Sequence, residues 1–205
     1  MKSKAVFGGT GGLGQELRKV YAAEYFGSQD LNITKTADVR DFFENHQFDT
    51  VINLAGFNAD GFIHCSDSVN VQKMLDVNIK GTLNLLRGCL PGMRERKHGR
   101  IILISSILAV DPQLGASVYG ATKNFIDGIT KACALENARE KVTCNAIRLG
   151  YFDAGMTHRI ENWETIKYSI PMRRLGNIKE LVNAIEFIEK TEYLTGACID
   201  LAGGL

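Results

Sequence analysis

Ala5-Val6-Phe7-Gly8-Gly9-Thr10-Gly11-Gly12-Leu13-Gly14 is a short apolar run that breaks into glycines at five of its last seven positions. Leu13, Leu17, Val20 and Tyr21 then recur at helical spacing, so strand, tight turn and helix follow one another. Glycines there let the backbone approach a pyrophosphate, whose charge then meets the positive end of the helix. The run fits GxGxxG, GxxGxxG and GxxxGxG at once, so spacing alone does not choose among dinucleotide-binding families. A bare strand-to-helix turn is the plainer alternative.

Working outward, the same alternation continues to the end of the chain. Thr34 to His46 reads as a helix, with Val39, Phe42, Phe43 and His46 on one face. Thr50-Val51-Ile52-Asn53-Leu54 is a continuous apolar strand of the kind buried on both faces of a parallel sheet. A long helix over 68–90 carries the stripe Val71, Met74, Leu75, Asn78, Thr82, Leu85, Leu86 and Cys89, and Pro91-Gly92 is expected to end it. Then come a strand at Ile101–Ile104, a helix from Tyr119 to Glu136 and a strand from Val142 to Ile147. A helix from Asn177 to Glu189 and a strand from Ala197 to Leu201 close the chain. Strand–helix alternation throughout predicts an α/β fold: a doubly wound, Rossmann-like parallel sheet with helices on both faces. No repeat or linker divides residues 1–205, so they are expected to form a single domain.

Composition narrows the function classes. With 45% hydrophobic and 23% charged residues the 205-residue chain has the means to bury a core, which excludes a disordered polymer. A net charge of +1 gives no electrostatic case for nucleic acid. No apolar stretch approaches the ~18 residues of a membrane span, and no signal-peptide pattern opens the sequence. Cys65, Cys89, Cys133, Cys144 and Cys198 lack CxxC or histidine spacing and read as small hydrophobes in a reducing, cytoplasmic setting. His46, His64 and His158 have no partners at metal spacing, so no metal is expected.

Tyr119-Gly120-Ala121-Thr122-Lys123 carries a sharper signal. A separation of four on a helix puts phenol and ammonium on one face. A nearby cation favours phenolate and lowers a tyrosine pKa from about 10, as a general acid for a carbonyl oxygen needs. Ser106, thirteen residues earlier, follows a strand at its carboxyl end, where open α/β sheets bind ligands.

With these residues in place the chain resembles the short-chain dehydrogenase/reductase family, and in particular a shortened 3-oxoacyl-(acyl carrier protein) reductase-like member. The resemblance runs through the glycine loop, Asn53-Leu54-Ala55-Gly56, Val77-Asn78-Ile79-Lys80-Gly81 and Gly99-Arg100-Ile101 leading to Ser105-Ser106. It continues through Tyr119 to Lys123, Asn145-Ala146-Ile147-Arg148-Leu149-Gly150, Ile170 to Gly176, and the tail from Leu194 to Gly204. It makes GxxxGxG the relevant glycine spacing. It implies an NAD- or NADP-dependent oxidoreductase passing a hydride between nicotinamide and a small ketone or alcohol. Tyr119 would be the acid/base, Lys123 would lower its pKa and hold the nicotinamide ribose, Ser106 would orient the carbonyl, and Asn78 would hold a relay water. For Asn78 a helix-distorting role is the alternative. Cofactor contacts are implied at Gly8, Thr10, Gly11, Gly12, Leu13, Gly14, Asp30, Leu31, Asn53, Leu54, Ala55 and Gly56. A homodimer or homotetramer is implied as well. A non-catalytic dinucleotide sensor of the same fold is the rival reading; the spacing of Ser106, Tyr119, Lys123 and Asn78 argues against it.

The sequence also departs from the family. Phe7, Leu54 and Leu149 stand where threonine, asparagine and proline are usual. Between the first helix and Val51 there is room for one helix and one or two short strands, where longer members fit a strand, a helix and another strand. Asp30-Leu31-Asn32-Ile33-Thr34 resembles the adenine-contacting segment, which leaves neutral Ser28 and Gln29 near the adenosine ribose and the choice between NAD and NADP open. The basic run Arg94, Glu95, Arg96, Lys97, His98 and Arg100 resembles a carrier-protein patch, or is a solvated helix end. Tyr151, Phe152, Met156 and Trp163 fall where the family has a substrate lid.

Overall fold

The computed structural model describes residues 3–159 and 163–205, and for His158, Arg159 and Trp163 the backbone alone. Six parallel strands form one sheet: β1 (Lys4–Phe7), β2 (Glu24–Phe26), β3 (Thr50–Asn53), β4 (Gly99–Ser106), β5 (Val142–Leu149) and β6 (Cys198–Leu201), in the order β2-β1-β3-β4-β5-β6. The helices are α1 (Gly12–Arg18), α2 (Thr36–Asn45), α3 (Ser68–Met74), α4 (Thr82–Glu95), α5 (Ser117–Asn137) and α6 (Ile178–Lys190).

Successive strand residues face opposite sides, and each side has its own core. Phe7, Val51, Ile101, Leu103, Cys144 and Ala146 pack under α2, α4 and α5. Val6, Ile52, Ile102, Ile104 and Ile147 pack under α1 and α6 through Leu17, Leu181, Ile185 and Ile188. This double covering explains why β3 and the middle of β4 are apolar at consecutive positions.

The expected shortening is visible at the sheet edge. β2 has three residues, and α2 leads directly into β3. Phe7 stacks on Phe26 at 5.4 Å, Phe26 meets Phe42 edge-on at 5.0 Å, and Phe43 and Phe48 complete the cluster. Large rings cover the sheet face beside this short edge.

Two expectations need correction. Pro91-Gly92 does not end the long helix: α4 runs through Pro91 to Glu95. Buried Met93, packed against Gly99, and the hydrogen bonds of Arg94 to Asn137 Oδ1 and Arg96 to Phe48 O hold the last turn despite the lost proline N–H. Nor is the helix over 68–90 uniform, because Leu75–Gly81 forms a π-turn with Asn78 at its centre. Such turns insert a residue into the helical ladder and are frequent at functional sites. The three arginines of the basic run are structural ties, since Arg100 also pairs with Glu192 at 3.1 Å.

Four of the five cysteines come together between α4, α5, β5 and β6, with Cys89, Cys133 and Cys144 buried and Cys198 partly so; all are free thiols.

Candidate active site

The chain crosses from the edge at β2 over β1 to β3, so strands on either side of β1 leave in opposite directions and a crevice opens at their carboxyl ends. The glycine loop, Leu54 and Gly56, Ser105-Ser106 and Leu149-Gly150 all emerge there, lining with Tyr119 and Lys123 a cleft of about 850 Å3. It adjoins a second cleft of about 680 Å3 bounded by Thr10, Phe26, Ser28, Leu31, Asn32 and Ala55.

The glycines are spatial requirements. Gly8 has φ of +88°, and its N–H donates to Phe26 O at 2.9 Å. A Cβ on Gly12 would lie 2.5 Å from Gly155 Cα, and one on Gly14 2.5 Å from Gly8 O. The backbone at the start of α1 is therefore bare and opens on the cleft, a fit to a pyrophosphate that any side chain would spoil. Gly12, Gly14 and Leu13 line the inner cleft, Thr10 the outer one, and Gly8 and Gly11 both.

Tyr119, Lys123 and Ser106 converge on the inner cleft. All three are nearly buried, at 8%, 4% and 8% exposure. Lys123 Nζ lies 5.6 Å from the centre of the Tyr119 ring and donates to Ile104 O at 2.8 Å. Ser106 Oγ accepts from Leu108 N at 3.2 Å, and the Ser106 hydroxyl also hydrogen-bonds to Tyr119. The lowered tyrosine pKa expected from the lysine does not emerge. Burial and the Asp60 carboxylate push the phenol up to about 12, and the Ser106 hydrogen bond only partly opposes them. Burial likewise brings Lys123 down to about 8. A lysine on the way to neutrality is a weak partner for a phenolate.

Asn78 does not face the cleft with its amide. Oδ1 accepts from Phe57 N at 2.8 Å, while Nδ2 donates to Phe57 O at 2.9 Å and Thr122 Oγ1 at 2.9 Å. These bonds use both Nδ2 protons and one of the two Oδ1 lone pairs, and the backbone carbonyl of Asn78 accepts from Thr82 Oγ1 at 2.7 Å. The helix-distorting alternative fits the position of Asn78 at the centre of the π-turn. Asn53 likewise builds the wall rather than lining it: Nδ2 donates to Thr82 Oγ1 at 3.0 Å, and Oδ1 accepts from Ala55 N at 3.0 Å. Asp30 spends one carboxylate oxygen on Gly27 N at 2.7 Å and lies at an outer pocket, whereas Leu31 lines the second cleft.

Sequence reasoning missed Ser105, Gly155, Thr157 and Thr122. Ser105 Oγ donates to Lys123 O at 3.2 Å, and Thr122 Oγ1 joins Asn78 to Tyr119 O, to which it donates at 2.8 Å. Gly155 and Thr157 line the cleft from the segment after β5. A hydroxyl beside a helical lysine was a usable signal for Thr122; the loop positions carried none. In that segment Phe152 packs on Gly176 and lines the cleft, as Met156 does. Tyr151 donates to Gln113 Oε1 at 2.9 Å, and the side chains of Trp163 and His158 lie outside the described residues. Among the described residues no three His, Cys, Asp or Glu side chains gather as a metal site, and no helix is long and apolar enough to cross a membrane.

A short chain dehydrogenase family model matches residues 26–165. The acetoacetyl-CoA reductase of Allochromatium vinosum is 32% identical over 206 positions, covering 93% of this chain and 82% of the relative. The 3-oxoacyl-[acyl-carrier-protein] reductase of Homo sapiens is 28% identical over 229 positions, covering 98% and 96%. That alignment is longer than the 205-residue chain, so the human protein carries residues this one lacks. Among solved structures, ElxO with NADP bound superposes with a TM-score of 0.87 at 23% identity, covering 100% of this chain and 98% of that one. That likeness is one of fold. The protein belongs to the short-chain dehydrogenase family, whose members are NAD(P)-dependent oxidoreductases.

Proposed function

We propose that the protein catalyses reversible carbonyl reduction on a small ketone or alcohol, with Tyr119 as proton donor and acceptor. The observation that carries this reading is the convergence of Tyr119, Ser106 and Lys123 on the cleft floored by the glycine loop. NAD or NADP bound there supplies and accepts the hydride. The chain's own part is to bind, to orient and to move a proton. The bare backbone of Gly11, Gly12 and Gly14 holds the pyrophosphate against the start of α1. Lys123 Nζ holds ribose hydroxyls, and Ser106 Oγ orients the substrate oxygen towards Tyr119 Oη. A phenol held near 12 is protonated throughout the neutral range and so ready as an acid. Asn78 fixes the Phe57 backbone, and Thr122 ties that turn to the helix bearing Tyr119 and Lys123. Leu13, Leu31, Leu54 and Met156 give the cleft apolar walls suited to an uncharged substrate. The test is a turnover screen of ketones and alcohols with NADH, NADPH and their oxidised forms. Absence of turnover on every pair, with the dinucleotide bound, would favour a sensor instead.

Lys123→Met is expected to weaken cofactor binding by about 10- to 100-fold, the loss of a charged hydrogen bond. Fluorescence titration with NADPH measures it, and an unchanged dissociation constant removes the ribose role. Cofactor discrimination is expected to be weak, below about tenfold, because among the described residues no charged side chain lines the adenosine-side cleft and a charge-assisted bond is what separates the two cofactors. NADH and NADPH dissociation constants measured side by side decide this, and a preference above about a hundredfold refutes it. The reading takes residues 1–205 as one cytoplasmic domain that assembles as a homodimer or homotetramer. Light scattering at micromolar protein that returned a 22.6 kDa particle would exclude the assembly.

A further inference from the structure

Lys123 is a buried cation whose hydrogen bond goes to a neutral carbonyl, Ile104 O. Burying an ammonium is costly unless charge of the opposite sign lies near. One turn further along α5, at the i+4 position of the same face, stands Asp127, itself 6% exposed. Its Oδ2 accepts from Arg148 Nε of β5 at 2.7 Å, and Arg148 Nη1 donates to Asp200 Oδ1 of β6 at 3.0 Å. Asp127 Oδ1 is buried with no hydrogen-bond partner. Two carboxylates thus share one guanidinium, leaving a net negative charge, and the inner carboxylate keeps an uncompensated oxygen in the core.

We propose that Asp127 is a positioning residue for the reaction: its buried carboxylate holds Lys123 in the ammonium form, and Arg148 moderates how strongly it does so. This rests on the reading that Lys123 works in the cleft, although the coupling itself can be measured without it. Burial draws Lys123 down towards 8, and Asp127 is the charge that opposes this. The other ionisable groups around the pair are few. Tyr119 stands on α5 itself, with Asp60, from the loop after β3, acting on it. Arg148 and Cys144 come from β5, and Asp200 and Cys198 from β6; Lys131, one turn beyond Asp127, acts on Cys198. The helices packed on α5 bring exposed Lys73 and Lys80 and half-buried Asp76. The apolar stretch of β4 from Ile101 to Ile104 brings no charge.

The experiment follows the side-chain resonances of Lys123 by NMR in ligand-free protein with 13C-labelled lysine, assigned by loss of the signal in Lys123→Met. The wild-type midpoint is expected near 8. Asp127→Asn should lower it by roughly 0.5–1 pH unit, the size of a moderately screened interaction across one helical turn. Arg148→Met, which unmasks Asp127, should raise it. Loss of packing gives no reason for shifts of opposite sign, so the pair separates an electrostatic role from a structural one. If Asp127→Asn fails to fold, Arg148→Met carries the test alone. A midpoint unmoved, or lowered, in Arg148→Met overturns the proposal, as does an unmoved midpoint in a folded Asp127→Asn. A confirmed coupling with Lys123→Met still fully active would instead sink the catalytic reading and leave the coupling standing.

Discussion

Tyr119→Phe loses a factor of about 10²–10⁴ in turnover on the true substrate while its dissociation constants for NADH and NADPH stay near those of the unaltered protein. The substitution deletes one hydroxyl and keeps the ring. Tyr119 is nearly buried, so the phenylalanine ring fills the same space and the helix is undisturbed. What is lost is the proton donor, together with the hydrogen bond to Ser106. The pH dependence should separate the two directions of reaction. The phenol, pushed up to about 12 by burial and Asp60, is a ready acid at neutral pH, so carbonyl reduction should not need alkali. Alcohol oxidation needs the phenolate, which is scarce at pH 7, and so its rate should climb as pH rises. Steady-state rates in both directions, with cofactor binding measured by fluorescence, check the whole set. A variant that keeps near-normal turnover removes Tyr119 from the chemistry.

The sheet was the most legible part of the chain. Continuous apolar runs at 50–54 and 101–104, closed by Ala55-Gly56 and by Ser105, admit few structures other than strands buried on both faces. The helix bearing Tyr119 and Lys123 is one residue pair longer at its start than its pattern, because Ser117 and Val118 already turn. The three-residue β2 was harder, since Glu24-Tyr25-Phe26 is too short to show a period and its pairing depends on β1. The π-turn was hidden by its own stripe: Met74, Asn78 and Thr82 keep a spacing of four that an unbroken helix shares. In the site, residues on strands and helices were readable because their spacing fixes their direction. The resemblance implies cofactor contacts at Asn53 and Asp30 and a relay water on Asn78; in the structure the side-chain hydrogen bonds of all three hold loops in place. Sequence shows a polar group at a strand end without showing whether a backbone amide reaches it first. Gly155 and Thr157 depend on the path of a loop, which no periodicity encodes.

Gly8→Ala is expected to lower the melting temperature by roughly 5–15 °C and to weaken cofactor binding, although it adds a single methyl group. Two penalties combine. Gly8 has φ of +88°, in the left-handed half of the map, where an L-residue pays roughly 1–2 kcal/mol. The added Cβ would lie 2.6 Å from Ala55 N, 2.8 Å from Ala55 Cα and 2.8 Å from Leu54 C, all of them backbone atoms that cannot rotate away. Forcing such contacts apart costs a further 1–3 kcal/mol or so. Little can yield, because Gly8 N is bonded to Phe26 O, Gly8 O accepts from Gly11 N at 3.1 Å, and Leu54 N is bonded to Phe7 O at 2.9 Å. If the Leu54–Ala55 loop moves instead, it shifts the wall shared by both clefts, so affinity falls with stability. Gly128→Ala is the matched control. That glycine is exposed on α5, with nothing within 4 Å of its added Cβ. There alanine should stabilise the helix by about 0.5–1 kcal/mol and raise the melting temperature slightly. Thermal melts of the two variants, each with and without NADPH, make the comparison. Equal melting temperatures for both would mean that the close approach of Gly8 to Ala55 places no constraint on the loop, and the glycine cradle would lose its physical basis.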